Sequence, residues 1–154
     1  MEIAIHIIIT LITFCVMEFM AWFSHKYIMH GFLWNLHEDH HQPQKGWFEK
    51  NDAFFVFYAV ISTGLFFSWA EGYFNYGLAM GLGILLYGMA YFAVHDVFIH
   101  QRFSWFKRTD NLYFRAIRKA HKVHHKHLGK EEGECFGMLL VPMKYFKEAA
   151  KSKR

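Results

Sequence analysis

Three apolar stretches constrain this chain more than any other feature: Ile3 to Phe23, Ala53 to Trp69 and Gly77 to Val94. Each approaches the ~20 residues that a helix needs to cross hydrocarbon. With Tyr73, Phe74, Tyr76 and Phe98 set to form an interfacial aromatic belt, they read as three membrane spans. A soluble helical core is the competing reading, but helices of soluble proteins normally carry a polar face, and residues 53–69 have almost none. The first stretch lacks a basic leader and a small-residue cleavage site, so it is expected to be a retained span and not a secretory signal. The expected fold class is therefore all-α: a polytopic membrane helical bundle with cytoplasmic His-rich helices. At 154 residues, a single domain over 1–154 is expected.

Charge sets the expected orientation. Of the 17 Lys and Arg, 14 lie from Arg102 onward, and Lys26, Lys45 and Lys50 fall between the first two spans. The N-terminus and the 70–76 loop have none, so the positive-inside rule places the 24–52 segment and the C-terminal third in the cytoplasm. The 20% aromatic content excludes a disordered chain. Two isolated cysteines, Cys15 and Cys135, exclude a disulfide-stapled fold, a zinc ribbon and a CxxC redox site. The segment Phe136 to Phe146, interrupted by Pro142, is expected to be interfacial or re-entrant and not a fourth span.

Ten of the 12 histidines fall into four groups: His25/His30, His37/His40/His41, His95/His100 and His121/His124/His125. The pattern is HxxxxH then HxxHH, and it occurs twice, each time after a span. Because the intervening spans go out and come back, both halves end at one face. Positions i, i+3 and i+4 share one side of a helix, so each triplet is expected to aim at one point. Asn35 and Asp110 are the expected starts of the two triplet helices, with Gln42-Pro43 and Gly129 ending them. The HxxxxH pairs fit an α-helix badly, since i and i+5 differ by ~140°, so local unwinding or a π-bulge is expected there, with Gly31 suiting a helix end. Imidazole ligates first-row transition metals, and ten donors are too many for one ion but suit two. His6, on the opposite face, and His127, on a basic helix, stand outside the set.

Three acids adjoin these histidines: Glu38, Asp39 and Asp96 are candidates to orient imidazole N–H groups. Glu18, a carboxylate inside a span, is expected to face the bundle interior. It lies about 10 Å deeper than His25 on the same helix face, as a packing hydrogen bond or a proton relay, with packing favoured. Gly77, Gly81, Gly83 and Gly88 form a small-residue stripe, read as helix packing first and room for an elongated apolar ligand second.

The four boxes resemble those of the membrane-bound di-iron hydroxylases of the fatty acid hydroxylase and sterol desaturase superfamily, and within it those of the bacterial β-carotene 3-hydroxylases. The resemblance extends to Gly31, Pro43-Gln-Lys-Gly46, Phe48-Glu49, Asn51-Asp52, Tyr91-Phe92 before His95-Asp96, Gln101-Arg102, Gly129-Lys-Glu131 and Phe136-Gly137. It implies O2-dependent hydroxylation at C3 of the β-ionone rings of β-carotene, through β-cryptoxanthin to zeaxanthin. It also implies that the ten box histidines hold two iron ions (Fe2+/Fe3+) fed by external electrons, their division between the two ions left open. Further implied partners are membrane lipids and a ferredoxin with its reductase, steered to the basic C-terminal third in a bacterial inner membrane. No nucleic acid is expected. The sequence has no dinucleotide fingerprint, cysteine cluster set or haem motif. Two alternatives remain at this point: a hydroxylase or desaturase of another apolar lipid, and a metal-transport membrane protein.

Overall fold

The computed structural model describes residues 1–42, 48–103 and 105–152. Among them the elements are all helical. Helix α1 (Glu2–Phe23) runs without a break into a π-helical segment, Ser24–Phe32, and then into the short α2 (Trp34–His41). Helices α3 (Asp52–Ala70) and α4 (Gly77–Tyr91) form a hairpin, and α4 in turn continues into a second π-helical segment, Phe92–Ile99. Beyond these lie α5 (Leu112–His124) and α6 (Met143–Lys151). The expected stop at Pro43, Lys45, and the stretch 43–46 lie outside the described residues.

Among the described residues, three helices are long and apolar enough to cross a bilayer: Glu2–Phe32, Asp52–Ala70 and Gly77–Ile99. Their outward faces leave Ile7, Leu11, Val16 and Phe19 of α1, and Phe55, Val56, Phe57 and Val60 of α3, exposed. Such faces are stable in lipid, where backbone groups are satisfied within each helix and apolar side chains need no cover. This is a membrane protein, and the soluble-core alternative falls with that observation. The N-terminal end of α1 meets the 70–76 loop, where the His6 ring lies 3.3 Å from the Asn75 carbonyl oxygen. That is the end of the bundle away from the other histidines.

Helix α4 is the centre of the bundle and packs on both α1 and α3. Its buried face carries Ala79, Gly81, Gly83, Ile84 and Tyr87. A Cβ on Gly83 would stand 2.6 Å from Thr13 Cβ and 2.8 Å from the Thr10 carbonyl oxygen, so only glycine admits this approach of α1. The small-residue stripe is thus used for helix packing. Helices α5 and α6 pair through Ala116, Ala120, Tyr145 and Ala149. Residues 136–142 form no helix, and α6 starts only at Met143.

Two helix boundaries differ from the sequence reading. Asn35 lies inside α2, which starts at Trp34 behind Leu33, because the chain leaves the π segment through the non-helical Gly31 only a few residues earlier. The cap of α5 is Asn111 and not Asp110: its side chain accepts from the N–H groups of Tyr113 and Phe114. The same helix ends at His124, short of Gly129.

Candidate metal centre

His25 and His30 lie in the first π-helical segment, and His95 lies in the second with His100 as its C-cap. In a π-turn each N–H reaches the carbonyl five residues back, which brings i and i+5 onto one face. The amide of His100 donates to the His95 carbonyl at 2.8 Å and that of Leu33 to Ile28 at 3.0 Å. The paired rings consequently lie together, with centroids 5.2 Å apart for His25 and His30 and 4.5 Å for His95 and His100.

The triplets behave differently. Side-chain nitrogens of His25, His30, His37, His41 and His124 all lie within 4.8 Å of one another, and so do those of His40, His95, His100 and His121. His125 stands beside the second group, its ring 4.5 Å from His121 and 4.8 Å from His100. Each triplet is therefore shared, and the expectation that three rings aim at one point is corrected. On an α-helix i and i+4 are ~40° apart while i+3 falls ~60° to the other side. His37 and His41 join the pair of their own half, and His40 crosses to the other group. His121 likewise stays with its own half while His124 crosses.

Seven of the ten rings are turned by a partner on Nδ1. His25 Nδ1–H donates to the Phe136 carbonyl (3.0 Å), His30 to Lys130 (3.0 Å), His41 to His127 (2.9 Å) and His124 to Glu134 (2.9 Å). His37 donates to Asn51 Oδ1 (2.7 Å), His40 to Glu49 Oε2 (2.7 Å) and His95 to Asp96 Oδ2 (3.3 Å). Carbonyl and carboxylate oxygens only accept, so Nδ1 carries the proton in each of these rings and Nε2 is left with a bare lone pair.

The bare atoms face one another. His25 Nε2 lies 3.1 Å from His37 Nε2, and His40 Nε2 lies 3.1 Å from His95 Nε2. Two lone pairs at that distance repel and form no hydrogen bond. The Nε2 atoms of His30, His41, His124 and His125 are buried without a hydrogen-bond partner. A cation resolves both facts: nitrogens ~2.1 Å from one ion and at right angles about it lie ~3.0 Å apart. The donor set fits a pair of first-row transition ions. Burial, reinforced by neighbouring imidazoles, holds His41 down to about 4, His124 to about 3, and His37 and His125 to about 2. His40, His100 and His121 are lowered in the same direction. These rings are neutral at physiological pH, the state a metal requires.

Of the three acids singled out beside the boxes, the structure brings Asp96 to a ring. Asp39 is buried and accepts from the Lys50 N–H at 2.7 Å, while Glu38 is exposed and meets Gln42. The partners that sequence reasoning missed are Glu49, Asn51 and the carbonyls of 127–136. Glu49 and Asn51 sit in stretches that carried the family resemblance, but backbone carbonyls leave no trace in a sequence. Glu18 explains how the carbonyls are held. Its Oε1 accepts from the N–H groups of Met138 (3.1 Å), Leu139 (2.9 Å) and Leu140 (2.9 Å), and Tyr87 OH donates to Oε2 at 2.7 Å. Irregular backbone at the depth of a span must be satisfied by protein, and this carboxylate does so. Gly137 is required beside it, since a Cβ there would stand 2.8 Å from the Leu140 carbonyl oxygen. Glu18 is a packing residue, as favoured, and it anchors the loop whose carbonyls orient His25, His30 and His124.

The bundle of apolar helices ends in two imidazole clusters, each drawing on both halves of the chain, and the fatty acid hydroxylase family model matches residues 10–146. The chain belongs to that family. Among its relatives, a beta-carotene hydroxylase of Pantoea ananas is 38% identical over 135 residues, covering 88% of this chain and 77% of that protein. A beta-carotene hydroxylase of Pseudescherichia vulneris is 39% identical over 134 residues, 86% of this chain and 74% of that one. Beta-carotene 3-hydroxylase 2 of Arabidopsis thaliana, chloroplastic, is 40% identical over 132 residues, 82% of this chain; the chain covers 42% of that longer protein. No solved structure gives a significant match.

Proposed function

We propose that this protein is a β-carotene 3-hydroxylase that converts β-carotene through β-cryptoxanthin to zeaxanthin with O2, at two iron ions held by the ten box histidines in one domain. The observation that carries the reading is the set of bare Nε2 atoms turned inward, in a chain whose bacterial relatives are named beta-carotene hydroxylases. His25, His30, His37, His41 and His124 would hold one iron, and His40, His95, His100, His121 and His125 the other. When bound, the two ions supply with O2 the oxidising power that no side chain possesses.

The chain's own residues do the rest. The Nδ1 contacts fix the tautomer and rotation of seven of the ten imidazoles, so that these ligands cannot swing out, while burial disfavours the protonated form. Tyr91 lies against the His95 ring at 4.7 Å between centroids, and Trp34 against His41 at 5.3 Å. These apolar faces keep water from the clusters. The clusters stand where α1 and α4 end, so a polyene dissolved in the bilayer reaches them without crossing water. The exposed cations Lys122, Lys126, Lys130, Lys147 and Lys151 give the C-terminal region a positive surface suited to an acidic ferredoxin supplied by its reductase, and to anionic headgroups. By the positive-inside rule, that surface and the clusters face the cytoplasm of a bacterial inner membrane.

A metal-transport role is disfavoured, because among the described residues Glu18 is saturated by four donors, Ser62 donates to the Gly81 carbonyl and His6 sits at the far end. Expression in cells that accumulate β-carotene, followed by pigment analysis, tests the proposal. Zeaxanthin is expected. Unchanged β-carotene beside a hydroxylated or desaturated product of another lipid would transfer the same site to that substrate.

A further inference from the structure

Behind the second histidine group lies a charged cluster that the first group lacks. Arg102 Nη2 stands 3.0 Å from Glu49 Oε2 and 3.1 Å from Asp52 Oδ1, while its Nε stands 3.1 Å from Asp96 Oδ1. Glu49 and Asp96 are the acceptors of His40 and His95. One guanidinium thus grips, from two of its nitrogens, the carboxylates behind two imidazoles whose Nε2 atoms face each other at 3.1 Å. His40 comes from the first half of the chain and His95 from the second, so the cluster also fastens the exchanged imidazole to its partners.

The local backbone is built for this. Gln101 takes a left-handed conformation, φ 54°, which a residue other than glycine adopts at a cost. The turn brings the Arg102 N–H onto the Asp96 carbonyl at 3.0 Å and returns the side chain over Asp96. A forked planar guanidinium matches several carboxylates at once in a way a lysine ammonium does not.

The first group is backed otherwise: four backbone carbonyls and the Asn51 amide, all neutral. An imidazole whose N–H points at a carboxylate is a stronger electron donor than one whose N–H points at a carbonyl. Building on the two-iron reading above, we propose that Arg102 is a positioning residue: by clamping Glu49 and Asp96 it seats His40 on His95 and makes the second metal position electronically distinct from the first. With carboxylates behind two of its ligands, the second position would favour the more highly charged ion when loaded.

Mössbauer spectra of protein loaded with enriched iron, together with iron content per chain, test this. Wild type is expected to hold two irons that give two separate quadrupole doublets of equal area. In Arg102→Gln one doublet shifts and the affinity of that one iron falls about tenfold or more, with Arg102→Lys intermediate. Asn51→Asp, which places a carboxylate behind His37, moves only the other doublet. Where Arg102→Gln fails to fold, Glu49→Gln removes the charge behind His40 while keeping its shape, and the same single doublet shifts. Two irons in one unsplit doublet, or equal shifts of both doublets in these variants, would overturn the inference and leave the two-iron reading intact. A wild-type protein that takes up fewer than two irons would overturn both.

Discussion

The imidazoles of the first group rest their Nδ1 atoms on the carbonyls of Phe136, Lys130, His127 and Glu134 and on the Asn51 amide, whereas His40 and His95 of the second rest on Glu49 and Asp96 under Arg102. The first group is held by a loop, and that loop is held by Glu18 from within a span. The second is held by charges next to the boxes themselves. A sequence repeat therefore need not produce two equal sites: the same HxxxxH and HxxHH pattern is oriented by backbone in one half and by ion pairs in the other.

The largest expected effect comes from breaking the exchange. His40→Ala and His124→Ala should each abolish zeaxanthin formation, and each should empty the metal position of the opposite half: His124→Ala the one with His25 and His30, His40→Ala the one with His95 and His100. Metal content per chain, read beside product, checks this. Loss of the position in its own half would show that the triplets are not shared.

Cutting the anchor of the first group comes next. Glu18→Leu leaves three backbone N–H groups and the Tyr87 hydroxyl without their acceptor, at about 3 kcal/mol or more. Thermal unfolding in detergent should show a clear loss, and metal binding by the first group should weaken before that by the second. Glu18→Gln keeps an acceptor oxygen and should lose less.

Acid should act on both groups. Folded-state values of about 4 for His41 and about 3 for His124 lie below the ordinary imidazole value of 6.5, so the unfolded chain binds more protons between those limits. Stability of the metal-free protein is then full above about 6.5 and declines as pH falls from there toward the folded values. Metal should be released over the same direction of change, because protons and ions compete for one lone pair. Unfolding measured across this range checks the sign, and a stability that rose on acidification would contradict it. The smallest effect is at the helix that serves both groups: Asn111→Ala removes the α5 cap and should cost about 1 kcal/mol.

Much of this arrangement was legible in the sequence. Hydrophobic run length marked the three spans, and the i, i+5 spacing marked the two π-helical segments, because no α-helix puts such a pair on one face. The sharing of the triplets was not read, although the 3.6-residue turn already separates i+3 from i+4 by ~100°. The partners of the first group were invisible for a different reason: any residue supplies a carbonyl, so Phe136, Lys130 and Glu134 carry no signal of that role. The contact of Glu18 with Met138–Leu140 joins residues some 120 positions apart, and only the fold brings them together. Asn111 displaced Asp110 as the cap because neighbouring residues of similar type compete for one position.

Crystals grown without oxygen from iron-loaded protein, with diffraction recorded at the iron absorption edge, give the most direct test. Two anomalous peaks are predicted, one among His25, His30, His37, His41 and His124 and the other among His40, His95, His100 and His121. A single peak, or two peaks each ringed by histidines of only one half of the chain, would contradict the account.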